Sequence, residues 1–185
     1  MKAGRIPIPK EIEKKFLIWE DGKDYSEKAL SFLYDTVASL RINVLANGEP
    51  IRQGYLPVGN AREIAERAEM NVNFEPMDAR IRRKSGKYYL AMKGRGMTSR
   101  EEVEKQIPME LFMDLWPLTE GRRVAKKRLE RKLGSHKVEF DVYIDGRDLI
   151  VAEIEVPSEE HLYRIPQLGR DVSKDPKYKN RNLAK

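Results

Sequence analysis

The stretch that decides the fold of this chain is EIEKKFLI, residues 11–18. Side chains of a β-strand alternate between its two faces, so Glu11, Glu13 and Lys15 share one face. The other face carries mostly apolar side chains, with Lys14 the exception: Ile12, Phe16 and Ile18. A single stretch of this kind is also typical of a strand with one solvated face. The interpretation therefore depends on whether the pattern recurs.

Pairs of charged residues two positions apart do recur along the chain, often with an apolar residue between them. Each pair has one sign: Glu102/Glu104, Glu139/Asp141 and Glu153/Glu155 are acidic, whereas Arg80/Arg82 and Lys126/Arg128 are basic. A solvated surface usually mixes the two signs within a strand. A site for a metal-bound polyanion needs both kinds of pair, because carboxylates bind the cation and Arg or Lys bind the phosphates. The recurrence therefore favours a charged site built from several strands.

Length and composition limit the class of protein. The 185 residues are enough for one domain with a sizeable core, and we expect a single domain over residues 1–185. A charged fraction of 36% beside a hydrophobic fraction of 40% indicates a folded chain. No apolar run approaches the ~18 residues of a membrane span, and residues 1–10 lack the apolar core of a signal peptide. We therefore expect a cytoplasmic protein that does not enter a membrane.

The absence of cysteine excludes disulfides, thiolate catalysis and cysteine-based zinc sites. The net charge of +6 indicates an anionic partner, which could be nucleic acid, a membrane surface or a phosphorylated small molecule. The basic residues form no continuous run except near residues 122–132, which disfavours nucleic acid. An RNA-binding protein would also expose aromatic side chains beside basic ones, whereas the aromatic residues here mostly fall on predicted apolar faces.

The hydrophobic periodicity predicts strands at 10–19, 50–56, 79–83, 87–93, 100–107, 122–132, 137–144 and 149–156. It predicts helices at 25–45 and 108–116, and an insertion at 57–78 whose function the sequence does not indicate. About eight strands in hairpin succession can close into a barrel and so remove their edges. The predicted fold is therefore α+β: a closed antiparallel β-barrel, or tunnel, with a charged lumen and with helices packed on its apolar outer face.

These motifs, in this order, resemble the CYTH superfamily, the triphosphate tunnel metalloenzymes. Residues 11–17 are similar to its ExExK signature, Arg80-Ile81-Arg82 to its paired arginines, and Lys93 to its phosphate-binding lysine. The resemblance continues through Arg100 with Glu102 and Glu104, through the strand motifs at 126–128, 139–141 and 152–155, and through Asp171-Val172-Ser173, where the superfamily has Glu-Val-Thr. The superfamily includes inorganic triphosphatases, thiamine triphosphatases and class IV adenylate cyclases, so the resemblance implies a β-tunnel that acts on a triphosphate.

Roles for the charged residues follow from their chemistry and from this resemblance. Hard divalent cations prefer carboxylate oxygen, and we expect Mg²⁺ or Mn²⁺ among Glu11, Glu13, Glu102, Glu104, Glu139, Asp141, Glu153 and Glu155. The phosphate-binding side chains are expected to be Arg80, Arg82, Lys93, Lys126 and Arg128. The resemblance adds a lysine from the C-terminal tail, for which Lys177 is the candidate and Lys174 the alternative. Glu11, Glu13 and Lys15 are the predicted catalytic residues.

The predicted function is metal-dependent hydrolysis of a triphosphate-containing small molecule, with tripolyphosphate, a nucleoside triphosphate and thiamine triphosphate as the candidate substrates. Phosphoryl transfer needs mainly positioning and charge neutralisation, so a metal-oriented water can attack the terminal phosphorus without a protein nucleophile. Two alternatives stay open: an adenylate cyclase of the same superfamily, and a non-catalytic module that binds polyphosphate or a nucleotide. The sequence also leaves open the substrate, the preferred metal and whether the chain forms a homodimer.

Overall fold

The structure is a computed structural model and describes residues 10–20, 23–24 and 37–184. Its strands are β1 (Lys10–Glu20), β2 (Lys23–Asp24), β3 (Glu49–Tyr55), β4 (Asp78–Lys84), β5 (Lys87–Lys93), β6 (Ser99–Ile107), β7 (Arg123–Leu133), β8 (His136–Tyr143), β9 (Leu149–Glu155) and β10 (Arg170–Asp171). Its α-helices are α1 (Val37–Asn47), α2 (Ala61–Arg67), α3 (Met109–Leu115) and α4 (Asn180–Leu183). The first part of the helix predicted at 25–45 lies outside the described residues.

Strand β1 closes the sheet into a barrel. The strands follow the order β1, β6, β5, β4, β3, β7, β8, β9, and β9 pairs again with β1. One edge of β1 pairs with β9 from Glu13 onward, while the other edge pairs first with β6 and then, at Phe16 and Leu17, with β10. All of these pairings are antiparallel. The predicted closed barrel of eight strands is confirmed, and β2 and β10 are additional short strands.

Helices cover the apolar outer face of the barrel, as the alternation predicts. Val37, Leu40 and Val44 of α1 pack in one cluster with outward residues of β8 and β9, among them Phe140. The insertion contributes α2, which packs with α3 over the outer faces of β4, β5 and β6. The insertion at 57–78 therefore extends the outer layer. No helix in the described part of the chain is long and apolar enough to cross a membrane.

The lumen differs in character along its length. Beyond the charged residues of β1 and β9, the same inward faces continue with Leu17 and Val151, which are Cα partners. These two side chains belong to an apolar cluster inside the barrel, which also takes in Val172 and Tyr178 from the chain after β9. The C-terminal segment, defined here as residues 170–184, therefore packs into one part of the lumen and leaves the charged part open.

The hairpin between β4 and β5 sets the register of the basic pair Arg80/Arg82. Its two-residue turn has positive φ at both Ser85 (51°) and Gly86 (70°), the backbone that matches the twist of the flanking strands. The register places Arg82 opposite Gln53 of β3 and Tyr89 of β5. Arg80 and Arg82 therefore point into the lumen, whereas Arg83 lies on the outer face with its guanidinium 6.0 Å from the ring centroid of Tyr88.

Candidate active site

A cavity of about 340 Å³ occupies the charged part of the lumen. Its wall is almost entirely polar and draws side chains from all eight barrel strands and from the C-terminal segment. The predicted site residues that the structure brings together in this wall are Glu11, Glu13, Lys15, Arg80, Arg82, Lys93, Glu102, Glu104, Lys126, Arg128, Glu139, Glu153 and Glu155. The two-residue spacing of these side chains along each strand is what directs them to a common cavity.

A first ion-pair network, made by Glu11, Lys93, Arg100 and Glu102, joins β1 to β5 and β6. The ammonium of Lys93 lies 2.8 Å from both carboxylate oxygens of Glu11 and 3.0 Å from Glu102. Arg100 Nε donates to Glu11 at 2.9 Å. Burial alone would raise the pKa of Glu11, but Lys93 and Arg100 hold that pKa well below its usual range. Glu11 is therefore fully ionised and already neutralised by two cations.

The arginine pair of β4 shares one carboxylate. Arg80 and Arg82 both donate to Glu104, at 3.1 and 2.6 Å. The Nε–H groups of both arginines are buried and have no hydrogen-bond acceptor within the described part of the chain. Burial and the charge of Arg80 lower the pKa of Arg82. The pair is thus a cationic spot with unused donors, and the oxygens of an anion would satisfy them.

A second ion-pair network, made by Lys15, Lys126, Arg128, Glu139, Asp141 and Glu153, fills the opposite wall. Arg128 binds Asp141 through two hydrogen bonds of 2.7 and 2.6 Å, reaches Glu153 at 2.6 Å and also binds Glu139. Lys15 lies 2.6 Å from Glu153. Burial and the neighbouring Arg128 lower the pKa of Lys126 to about 8.

Asp141 does not occupy the position expected of a metal ligand. Its side chain is fully buried behind the cavity wall, and both of its oxygens accept hydrogen bonds from Arg128 or Lys126. The strand alternation correctly places Asp141 on the inward face of β8. It cannot indicate that two longer basic side chains lie between this short carboxylate and the cavity. Asp141 thus holds Lys126 and Arg128 in place instead of facing the cavity.

Between the two networks lie Glu13 and Glu155, which are Cα partners in the β1–β9 ladder. Within residues 10–20, 23–24 and 37–184, neither side chain has a hydrogen bond or an ion pair, although both line the cavity. Burial, together with the charges of Glu11 and Glu153, raises the pKa of Glu13 to about 7. Like charges directly opposite each other destabilise a sheet. A divalent cation would relieve this repulsion, and carboxylate oxygens are the ligands such cations prefer.

The other predicted ligands in the wall, Glu11, Glu102, Glu104, Glu139 and Glu153, are each engaged by lysine or arginine. Consistent with this, no group of three or more Asp, Glu, His or Cys side chains among the described residues is arranged to hold a metal ion. Among the predicted ligands, the pair whose chemistry fits a cation without losing a basic partner is therefore Glu13 and Glu155. The other predicted ligands would first have to exchange a basic partner for the cation.

The lysine of the C-terminal segment that lines the cavity is Lys179, whereas the predicted Lys177 lies elsewhere. Lys177 has a side chain that is 59% exposed, lies outside the cavity wall and binds Glu20 at 2.5 Å. Lys174, the alternative, also lies outside this wall. The chain turns at Pro176–Tyr178, where Asp175 accepts from the backbone N–H of Lys177. This turn brings Lys179 into the wall instead, where its ammonium donates to the Gly96 carbonyl at 3.0 Å.

The wall also contains residues that were not predicted as site residues, among them Gln53, Tyr55 and Asp78. Gln53 Nε2 donates to the Tyr55 hydroxyl at 2.9 Å, and one carboxylate oxygen of Asp78 is buried without a partner. Gln53 and Tyr55 keep the two-residue spacing of an inward face, so the alternation could have found them. Asp78 precedes Arg80 by two positions and carries the same signal, but its charge is opposite to that of the arginine pair.

The segment Asp171-Val172-Ser173 holds the backbone of Lys15. The Lys15 N–H donates to Ser173 Oγ at 3.0 Å, and the Val172 N–H donates to the Lys15 carbonyl at 2.9 Å. Asp171 accepts hydrogen bonds from both the backbone and the hydroxyl of Ser173. Ser and Asp thus keep the hydroxyl and the carboxylate that Thr and Glu supply in the superfamily motif.

A closed antiparallel barrel with these two ion-pair networks in its lumen has the architecture that the CYTH resemblance implies. The chain is 34% identical to an inorganic triphosphatase of Nitrosomonas europaea over 140 aligned residues. The alignment covers 73% of this chain and 83% of the relative. The chain is 31% identical over 180 residues to an inorganic triphosphatase of Acetivibrio thermocellus, covering 95% and 94%. No family model matches the chain.

The crystal structure of an inorganic triphosphatase has the same fold. It is 29% identical and superposes with a TM-score of 0.51, covering 94% of this chain and 93% of that structure. The chain belongs to the inorganic triphosphatase family, within the CYTH superfamily that its motifs resemble.

Proposed function

We propose that this chain is a metal-dependent inorganic triphosphatase, which hydrolyses tripolyphosphate to pyrophosphate and phosphate inside the barrel. Its similarity to two inorganic triphosphatases supports the reaction. The observation that carries the proposal is the pair of buried Nε–H groups of Arg80 and Arg82, which have no acceptor among the described residues. An unsatisfied buried donor is costly, and a phosphate oxygen is the acceptor that best suits a guanidinium.

A linear inorganic phosphate chain suits the wall better than a nucleotide does. The aromatic members of the wall are Tyr55 and Tyr178, which are only 4% and 1% exposed. Both rings belong to the apolar cluster inside the barrel and offer no open face on which a base could stack. The basic side chains, by contrast, come from six barrel strands (β1, β4, β5, β6, β7 and β8) and from the C-terminal segment, and they surround the cavity. They match a substrate that carries its charge along its whole length.

A divalent cation, Mg²⁺ or Mn²⁺, would be held by Glu13 and Glu155, whose carboxylates have no basic partner among the described residues. When bound, it would supply neutralisation of the phosphate charge and a lower pKa for the attacking water. The protein's own part is to hold the substrate. Arg80, Arg82 and Lys93 stabilise the charge that develops on the departing pyrophosphate, and their ion pairs fix them before the substrate arrives.

The test is phosphate release from tripolyphosphate, ATP and thiamine triphosphate, each with Mg²⁺ or Mn²⁺ and with a chelator. The expected result is fastest release from tripolyphosphate, only with a cation. The products from ATP are separated as well. Cyclic AMP as the main product would establish the adenylate cyclase alternative, and tight binding of tripolyphosphate without phosphate release would establish a non-catalytic binding module.

A further inference from the structure

The C-terminal segment contacts the side chain of Lys15 as well as its backbone. The Lys15 ammonium donates to the backbone carbonyl of Tyr178 at 3.1 Å and lies 2.6 Å from Glu153. Burial alone would lower the pKa of Lys15, but the charges of Glu153 and Glu13 outweigh this effect and raise the pKa above its ordinary value. The group therefore stays an ammonium. Its orientation in the cavity wall is therefore set by two acceptors, one charged and one a peptide carbonyl.

Tyr178 is itself fixed from the far side of its ring. Its hydroxyl donates to Glu20 at 2.7 Å and accepts from Arg170 at 2.7 Å. The ring is almost fully buried in the apolar cluster inside the barrel. Burial and Glu20 raise the pKa of Tyr178, so the hydroxyl keeps the hydrogen that it donates. Side-chain contacts outside the cavity thus determine where the Tyr178 carbonyl sits inside it.

We propose that Tyr178 and Glu20 are positioning residues for Lys15. The bond between the Tyr178 hydroxyl and Glu20 keeps the Tyr178 carbonyl on the Lys15 ammonium. Without that second acceptor, Lys15 is aligned by Glu153 alone, which it shares with Arg128. A charge-assisted hydrogen bond depends strongly on geometry, so a displaced carbonyl changes the direction in which Lys15 presents its remaining N–H. The kinetic part of this inference rests on the proposed function.

The chain offers variants that separate this role from simple packing. Tyr178→Phe keeps the buried ring and removes only the hydroxyl. Glu20→Gln keeps an oxygen that can accept from Tyr178, whereas Glu20→Ala does not. The matched control is Asp148→Asn, because Asp148 binds Trp19 at 2.8 Å and Arg41 at 2.5 Å at the same end of β1 and has no hydrogen bond or ion pair with residues 170–184.

Tyr178→Phe and Glu20→Ala are expected to lower kcat on tripolyphosphate by about fivefold, the loss that one hydrogen bond of ~1 kcal/mol would cause. KM should change little, since the arginine pair is untouched. Glu20→Gln should retain most of the activity, although it also loses the ion pair with the exposed Lys177, because surface ion pairs contribute little. Asp148→Asn should behave like the unmodified chain. An unchanged kcat in both Tyr178→Phe and Glu20→Ala would overturn the proposal.

A double-mutant cycle tests whether the effect passes through Lys15. Residues that act through one another are not additive, whereas independent structural effects add. Tyr178→Phe should therefore cost nothing further in a Lys15→Met background. An equal loss in both backgrounds would show that Tyr178 only stabilises the fold.

A readout without turnover keeps this inference separate from the proposed function. In protein labelled with ¹³C and ¹⁵N at the lysine side chains, the Lys15 resonance is identified by its loss in Lys15→Met. It should shift in Tyr178→Phe and stay in place in Asp148→Asn. If the unmodified chain releases no phosphate from any triphosphate, the proposed function fails, and this resonance still decides the positioning. A Lys15 resonance that is identical in Tyr178→Phe and the unmodified chain would overturn it.

Discussion

Glu13 and Glu155 lie directly opposite each other across the β1–β9 ladder that closes the barrel, and neither carboxylate has an ion-pair partner among the described residues. The carboxylates beside them are engaged: Glu11 by Lys93 and Arg100, and Glu153 by Lys15 and Arg128. Two facing carboxylates without a cation destabilise the fold. This pair is therefore where the demands of binding a cation conflict most directly with stability.

The first prediction concerns Glu13→Gln without a divalent cation. Because the pKa of Glu13 is raised from 4.5 to about 7 on folding, the folded chain binds more protons than the unfolded chain between those values. The free energy of unfolding contributed by Glu13 therefore falls as the pH rises through this window. We expect Glu13→Gln to melt at nearly the same temperature as the unmodified chain at pH 5 and several degrees higher at pH 8.

The measurement is a pair of thermal melts in chelator at the two pH values, where 1 kcal/mol corresponds to about 2–4 °C in a chain of this size. The control is Glu63→Gln, the same chemical change on the exposed side of α2. Turnover with saturating Mg²⁺ should fall by about 100-fold in Glu13→Gln, the scale of losing one charged group from a preorganised site. A variant that melts lower at pH 8 and keeps its turnover would place Glu13 outside the functional site.

The second prediction concerns removal of the metal. Turnover of tripolyphosphate should disappear in a chelator and return when Mg²⁺ or Mn²⁺ is added in excess, because Glu13 and Glu155 supply carboxylates that no lysine or arginine in the described part of the chain engages. Phosphate release measured before and after this addition provides the check. Undiminished turnover after verified removal of divalent ions would contradict the proposal that these carboxylates hold a catalytic cation.

The third prediction compares two neighbouring arginines on opposite faces of β4. Arg82→Ala removes a guanidinium from the cavity, whereas Arg83→Ala removes one from the outer face of the same strand. The lost charge-assisted bond should weaken tripolyphosphate binding by about 1.5–3 kcal/mol in Arg82→Ala. Isothermal titration calorimetry with protein from which divalent cations have been removed measures this affinity, and thermal melts check the fold. Equal affinities in the two variants would remove the arginine pair from the binding site.

The sequence was sufficient to predict the barrel and most of the charged side chains that its strands contribute to the cavity wall. The two-residue spacing of Glu11, Glu13 and Lys15, repeated on other strands, fixes which side chains point inward once the sheet closes. The same spacing continues to Leu17, and that signal was available as well. It shows that the lumen becomes apolar along β1, although the charged residues alone indicated a charged lumen throughout.

Other features depend on contacts that alternation cannot encode. Asp141 has the inward position that its spacing predicts, yet the longer side chains of Lys126 and Arg128 separate it from the cavity. The C-terminal segment has no regular hydrophobic period because it consists of the short strand β10, a turn and the short helix α4. Which of its lysines reaches the cavity depends on the turn at Pro176–Tyr178. A shift of two residues in that turn exchanges a wall residue for a surface residue.

The last prediction tests this reassignment from Lys177 to Lys179. Lys179→Met keeps the length of the side chain and removes its charge from the cavity, where burial and Arg100 lower the pKa of Lys179. A phosphate would offset that unfavourable environment, so KM for tripolyphosphate should rise about tenfold, as expected for loss of one charge-assisted bond. Lys179→Arg should keep most of the affinity.

Lys177→Met is the control. It removes an exposed ion pair with Glu20, and such pairs contribute only about 0–1 kcal/mol, so the KM of this variant should stay close to that of the unmodified chain. Steady-state kinetics of the three variants, with melts to confirm that each is folded, decide the matter. A large effect in Lys177→Met together with none in Lys179→Met would return the role to Lys177 and would mean that the turn adopts a different register when substrate binds.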